Sequence, residues 1–289
     1  NIYYSWGKPD RIEVFRNIVD HTLTVTNPYG YLGGTSASVK TYFRLEATRD
    51  LSKVVGHDRI KVGELSVNFL FSMMALPKEQ TYGSVSQDRP AFTYPGTDLR
   101  GMSDWGQLEK LPEGTVASAY ISFSKLLETK EVLDLFATKN MDLLWLAVDT
   151  GREKIEGIIF EPIGFPSFPI WHDDDFTVTH RTEVKNGWFG GKAISQGAIA
   201  PEYQAGDEGA LQEQFMKTLA FLERHEGIAN KLVFGKLQLA ERTAYLKENG
   251  FRHYGAVVTG PTKEILKLRD EEWAADLEID EVAFWNWVE

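Results

Sequence analysis

Val116-Ala117-Ser118-Ala119-Tyr120-Ile121-Ser122-Phe123 reads as an alternating strand, and the helix and strand after it decide the fold. A short helix signal comes next, Glu128-Thr129-Lys130-Glu131-Val132-Leu133-Asp134-Leu135-Phe136. The nearly all-apolar run Leu143-Leu144-Trp145-Leu146-Ala147-Val148-Asp149 then closes a strand–helix–strand unit from Thr115 to Asp149. The same layout returns near the other end. Phe251-Arg252-His253-Tyr254-Gly255-Ala256-Val257-Val258 is the strand, Thr259-Gly260-Pro261-Thr262 the turn, Lys263 to Leu268 the helix and Leu277 to Trp287 the last strand. Two such units predict an α+β fold: a mixed or antiparallel sheet with helices on one face, preceded by a β-rich N-terminal region. Trp145, Trp285 and Trp287 sit in apolar strands and read as core anchors. At the turn, Gly260 relieves a tight bend, Pro261 suits a first helical position and Thr259 or Thr262 can cap, although the junction could also present amide donors to an anion.

Toward the N-terminus, Asp10 to Val25 shows helical spacing, with Asp10 as N-cap and Ile12, Phe15, Val19 and Leu23 on one face. Asn27-Pro28-Tyr29-Gly30 and Gly33-Gly34 end it. Val39–Thr48 and Ile60–Ala75 are strand candidates. Residues 77–110 lack periodicity, and long unstructured loops are uncommon in compact domains, so part of this stretch is expected to pair with a sheet. A boundary near Gly106 gives three regions: residues 1–26, 27–106 and 107–289. Between the two repeated units lies an insertion, Gly151 to Lys231. Its first half is loop-like. Its second half begins with Asp207 as N-cap and has a helix from Gln214 or Phe215 to Leu222, with Leu211, Phe215, Leu219 and Leu222 as an apolar stripe. A further helix from Leu237 to Glu248 stops at Asn249-Gly250.

The chemistry-bearing residue types are sparse in pattern. Trp171-His172-Asp173-Asp174-Asp175 is the densest cluster of metal-type ligands. Hard cations want several converging oxygens, and consecutive carboxylates diverge unless a turn folds them back. A solvated acidic loop is therefore the first reading of Asp173, Asp174 and Asp175, and a cation site the second. No zinc spacing and no Gly-x-Ser-x-Gly nucleophile elbow occurs, and Ser195 lies in a Gly-rich stretch without a motif around it. Gly187-Trp188-Phe189-Gly190-Gly191-Lys192 lacks phosphate-loop spacing. The six histidines are scattered and read as surface or satisfied polar groups. No cofactor and no catalytic residue is expected.

Composition bounds the rest. The chain has 289 residues, 43% of them hydrophobic, which is enough for one large or two modest cores. A formal charge of −11 would repel a phosphate backbone, so nucleic acid is not an expected partner. The same charge disfavours anionic lipid headgroups. With no cysteine, disulfide scaffolds and cysteine zinc sites are excluded. No run of about twenty apolar residues is present. The start, Asn1-Ile2-Tyr3-Tyr4-Ser5-Trp6-Gly7, has the aromatic character found just outside a membrane helix, and can equally be the start of a processed soluble protein.

Three runs carry a family resemblance. They are Leu111 to Phe123, Leu143 to Thr150, and Tyr245 to Phe251 continuing from Tyr254 to Glu264. Together they resemble the C-terminal extracytoplasmic domain of membrane-anchored anti-sigma factors of Bacillus-type bacteria, over Leu111 to Trp287. The resemblance implies a cytoplasmic segment, outside this sequence, that grips a sigma factor; then one membrane helix; then this domain on the outer face of the membrane. It implies a sensory module with a membrane or envelope protein as further partner, not an enzyme. Residues 1–26 would then be a juxtamembrane helix relaying the state of the domain inward through Ile12, Phe15, Val19 and Leu23. Two rivals stand beside it: a secreted hydrolase acting on wall polymers, with Asp149 and Glu161 flanking a cleft, and a wall-binding or adhesion module.

Overall fold

The computed structural model describes residues 9–40, 44–70, 73–82, 90–97, 103–185 and 192–284. Trp285 and Trp287 lie outside the described residues, as does the aromatic start at Tyr3, Tyr4 and Trp6.

Helix α1 (Pro9–Thr26) is the first described element, so Asp10 is a helical residue and not its N-cap. A first antiparallel sheet follows, built from β1 (Ser36–Lys40), β2 (Arg44–Val55), β3 (Asp58–Leu70), β4 (Met73–Met74) and β5 (Lys78–Thr81). The stretch expected as one strand, Val39–Thr48, is thus divided between β1 and β2, which pair with each other, Lys40 opposite Arg44. β5, within the aperiodic region, pairs with β3, as expected of a stretch too long to stay unpaired in a compact domain. Two residues of strand β6 (Phe92–Thr93) and helix α2 (Trp105–Lys110) lead into the second sheet.

Here the two repeated units interleave. The first is β7 (Thr115–Glu128), α3 (Thr129–Ala137) and β8 (Asp142–Val148). The segment between the units holds helix α4 (Glu153–Glu156), strand β9 (Ile158–Ile159) paired with β6, and strand β10 (Gly164–Pro166). A hairpin of β11 (Thr177–Lys185) and β12 (Lys192–Ile199) comes next, then helices α5 (Glu208–Glu223), α6 (Glu226–Leu232) and α7 (Leu239–Asn249). The second unit is β13 (Arg252–Pro261), α8 (Thr262–Leu266) with a 3-10 turn to Asp270, and β14 (Ala274–Phe284). The sheet order is β10-β8-β13-β7-β14, antiparallel throughout. Each unit leaves a gap between its own strands that the other unit fills, the strand order of a split β-α-β fold.

Three local expectations are corrected. The loop-like half of the insertion contributes β10 as an edge strand of the main sheet. Ser195 lies in β12 and not in a loop. Pro261 closes β13 and precedes α8, whose first residue is Thr262; no side-chain cap bond forms there, and Thr259 Oγ1 instead donates to the Ala117 carbonyl at 2.9 Å. The Asp207 N-cap matches expectation, but α5 starts directly after it at Glu208 and not at Gln214 or Phe215. Glu128 and Glu131 form a reciprocal capping box, and the Asp207 side chain accepts from the Ala210 amide at 3.2 Å. Helix α7 stops at Gly250, which takes φ 73°, a left-handed value that glycine adopts without steric cost.

The second sheet is covered on both faces, which is why β7 is buried from Thr115 to Phe123. Ala117, Ala119, Ile121 and Phe123 face a core shared with helices α3, α5, α7 and α8. Tyr120 on the other face joins Tyr29, Phe92, Tyr94, Trp145, Ile159 and Tyr254. The two serines of that face are satisfied: Ser122 Oγ accepts from the Thr93 amide at 2.9 Å, and Ser118 hydrogen-bonds Tyr29. Trp145 is fully buried and Gly164 of β10 runs against its ring; a Cβ there would overlap both the indole and the Leu146 carbonyl. Trp145→Ala is expected to destabilise the protein by about 3–5 kcal/mol in urea unfolding, since the void lies beneath a rigid strand. A variant within about 1 kcal/mol of the parent, on the order of experimental scatter, would remove Trp145 from the core.

Candidate functional site

The residues with the strongest claim to a role lie on and around α1. Of the four positions expected on its face, Phe15 and Val19 are fully buried, while Ile12 and Leu23 are half-buried and pack against the same core. The period-based reading misses the other half of the contact: Ile18 and Val25 are equally buried, and His21, Thr22 and Thr24 are close to it. A single apolar stripe is the signature of a helix lying on a surface. This helix is enclosed on more than one side, and polar residues at 21, 22 and 24 hide that in the sequence.

Three parts of the molecule hold it. The first sheet supplies Phe69, which meets Phe15 edge-on at 4.7 Å, and Arg49, whose guanidinium pairs with Asp20 and reaches the Gly30 carbonyl. Asp20 also accepts from the amide and hydroxyl of Thr35, at 3.0 and 2.5 Å. The second sheet supplies Trp145, whose Nε1 donates to the Thr24 carbonyl at 3.1 Å. The insertion supplies His172, stacked on His21 at 4.2 Å with Phe221 edge-on, and Asp173, which accepts from Asn17 Nδ2 at 2.9 Å.

Just past the helix, Tyr29 donates to Asp280 Oδ2 at 2.7 Å, and Lys53 of the first sheet reaches Asp280 Oδ1 at 2.6 Å. Gly56 of the first sheet donates its amide to Thr259 Oγ1 at 2.7 Å. A cavity of about 480 Å³ opens at this end of α1, lined by Leu23, Tyr29, Arg49, Lys53, Tyr120 and Asp280 among others.

The acidic triplet forms a 3-10 turn next to this junction. Asp173 turns away to Asn17, while Asp174 and Asp175 share one ammonium. Lys217 pairs with Asp174 at 2.7 Å and Asp175 at 2.6 Å, and Asp175 also accepts from the His172 amide at 2.8 Å. The Lys217 ammonium holds Asp174 below its ordinary value. Among the described residues no group of three or more His, Asp or Glu side chains is arranged to hold a metal.

Asp149 and Glu161, the pair considered for hydrolysis, stand in unlike surroundings. Asp149 is buried and accepts from Tyr245 at 3.0 Å, Tyr94 at 3.3 Å and the Gly151 amide at 3.0 Å, whereas Glu161 is exposed and is not among these partners. Burial raises the Asp149 carboxyl above its usual range. Beside it, Arg242 joins Glu153 at 2.6 Å, and Glu153 accepts from the Thr150 amide and hydroxyl at 2.8 and 2.7 Å. This network ties α7 to the loop after β8.

The model of the family described as "Sigma factor regulator C-terminal" matches residues 108–281. The chain belongs to this family. A probable anti-sigma-M factor of Bacillus subtilis (strain 168) is 28% identical over 293 residues, which span 99% of this chain and 74% of that protein. No solved structure matches. The family is a regulatory one, and the matched segment contains β7, β8, β13 and most of β14, together with the insertion. Helix α1 and the first sheet lie outside the family segment but inside the region shared with the Bacillus protein.

Two tests address the junction. Asp20→Ala would leave the Arg49 guanidinium buried without its partner, and urea unfolding should show a loss of about 3 kcal/mol. An Asp20→Ala protein as stable as the parent would mean that the pair is not a structural tie.

Acidification tests the histidines. Burial, with His172, Arg49 and Lys217 adding to it, pushes His21 down to about 3. Burial lowers His172 and takes His253 to about 4. These rings are neutral when folded, while the unfolded chain takes up protons near pH ~6.5, so the unfolded state binds more protons than the folded one below that pH. Their contribution is therefore complete above pH ~6.5 and is lost as the pH falls toward the folded values. Asp149, raised by burial, works in the opposite direction over the carboxylate range. The melting temperature should fall steadily from about pH 7 to about pH 5, and His21→Gln should flatten that fall. A profile unchanged by His21→Gln would remove His21 from the balance.

Proposed function

We propose that this protein is the extracytoplasmic sensory and regulatory part of a membrane-anchored anti-sigma factor that controls an extracytoplasmic-function sigma factor. Family membership and the similarity to a probable anti-sigma-M factor support the regulatory class. In this reading residues 1–26 are the juxtamembrane segment, 27–106 a β-rich region and 107–289 the sigma-regulator domain. A cytoplasmic segment grips the sigma factor, and an envelope or membrane protein can be the outer partner. No helix of the described residues is long and apolar enough to cross a membrane; the anchor in this reading is a segment outside the sequence given.

The observation that carries the proposal is the triple attachment of α1. A relay needs an element whose position depends on the state of the rest of the domain. Helix α1 is contacted at Asp20 by the first sheet, at Thr24 by the second and at Asn17 and His21 by the insertion. A signal that moved any of these parts would move the helix.

The burial also sets which variants test the relay. Asp at Phe15 or Val19 would put a carboxylate in the core that α1 shares with the second sheet, and would unfold both. The half-buried pair Ile12→Asp with Leu23→Asp, and Tyr29→Phe, which keeps its ring but loses the bond to Asp280, probe coupling instead. In full-length protein, both variants should remove the dependence of sigma-target expression on envelope stress. Normal stress dependence, with the protein made and inserted, would overturn relay through α1. Topology has its own assay: protease added to intact protoplasts should remove the domain, and survival of the domain while an outer marker is cut would overturn the location.

A further inference from the structure

The cavity at the C-terminal end of α1 has a lining whose charges do not all cancel. Its described cations are paired: Arg49 with Asp20, Lys53 with Asp280 at 2.6 Å and Lys61 with Asp50 at 2.7 Å. Two further carboxylates line it, Glu79 from the first sheet and Glu281 from the second, and neither has a partner among the described residues. Local geometry aims both inward. Glu79 of β5 is opposite Leu65 of β3, and opposed residues of an antiparallel pair share a face, so Glu79 is on the side where Leu65 joins the core around α1. In β14 the register with β7 slips between Ile279 and Glu281, which sets Glu281 opposite Ser118 and leaves Asp280 as the extra residue of a bulge. Ser118 hydrogen-bonds Tyr29, and Asp280 accepts from the same hydroxyl, so the bulge brings two consecutive acidic residues to one side.

Whatever fills this space covers Glu79 and Glu281. An apolar ligand would strip both carboxylates of water with nothing in return. An anionic one would meet like charge, because Arg49 is already held by Asp20 and by the Gly30 and Leu32 carbonyls. An ammonium group avoids both costs, and the remaining lining suits it. Tyr29, Tyr82, Tyr120 and Phe160 bring aromatic rings, whose faces attract cations. The protein's own lysines use the same surroundings, Lys53 on Asp280 and Lys61 over the Tyr82 ring at 5.5 Å. Residues 83–89, outside the described ones, hold one Asp and one Arg and add no net charge. At about 480 Å³ the space is of small-molecule size.

We propose that this cavity binds an organic ammonium ion with an apolar body, its charge toward Glu79 and Glu281 and its body against the tyrosine rings. Under the sensory reading, on which this role rests, the occupant is a signal. It touches Leu23 and Tyr29 at the end of α1, and it touches both sheets, so its binding adds a tie between the parts that hold the relay helix.

Calorimetric titration of the complete 289-residue chain at about pH 7, where amines are charged, tests the site. The probes 4-phenylbutylamine, 4-phenylbutanol and 4-phenylbutyrate give one skeleton a cationic, a neutral and an anionic end. The amine should bind about tenfold tighter than the alcohol, and the acid more weakly than either. Glu79→Gln with Glu281→Gln should bring the amine to the level of the alcohol. Alcohol binding and melting should not change, since neither carboxylate holds another side chain in place. Salt at about 0.5 M should weaken the amine and not the alcohol. An alcohol or acid that binds as tightly as the amine overturns the proposal. So does amine binding that survives the double Gln change, which would make it adventitious, or no binding of any probe at millimolar concentration. Binding is read on this chain and stress-dependent expression on the full-length protein, so the site can fail while the regulatory reading stands, and the reverse.

Discussion

The Thr24 carbonyl in the last turn of α1 would ordinarily be bonded by the amide four residues on, but that residue is Pro28, which has no N–H. An orphan carbonyl at a buried helix end is costly, and the indole of Trp145 fills it at 3.1 Å. One hydrogen bond thus links a proline at the end of the first helix to a strand in the middle of the second sheet. The neighbouring turn is equally constrained: Gly30 lies so close to the Leu23 carbonyl that no side chain fits, and its own carbonyl is taken by Arg49. Much of the arrangement between the two sheets follows from how this helix end is satisfied.

The polar ties across the junction are mostly of the kind that specify geometry. Asp20 gathers Arg49 and Thr35, while Asp280 gathers Tyr29 and Lys53. Each carboxylate draws its partners from separate chain segments, so each is satisfied only when those segments are correctly placed. Buried ionic groups add little to net stability when compared with apolar packing, and their loss one partner at a time is expensive. The stacked His21 and His172 belong to the same seam and join it to the insertion, whose 3-10 turn also reaches Asn17.

Much of the fold was legible from local pattern. The two strand–helix–strand units are where the alternation and apolar runs place them, because β7, β8 and β13 bury nearly every residue along their central stretches and so tolerate few polar ones. Asp207 and Gly250 mark helix ends through chemistry that acts over about one turn. Long-range contributions were not legible. Gly164–Pro166 reads as loop because so short a stretch shows no period, and β10 exists only by pairing with β8. Of the site, Phe15 and Val19 follow from spacing, but Ile18, His21 and Thr24 do not, because their partners, Trp145 and His172 among them, are remote in the chain.

What the sequence determined by itself was therefore the set of elements, their type and most of their ends, since these depend on side-chain period, capping and backbone permissiveness within one turn. Only the tertiary structure decided the interleaved order β8-β13-β7-β14, the closing of both faces of that sheet, and the enclosure of α1. Those depend on which buried donors meet which acceptors and which apolar faces meet across the core. Such pairings leave no spacing in the chain, because the residues that make them are neighbours in space alone.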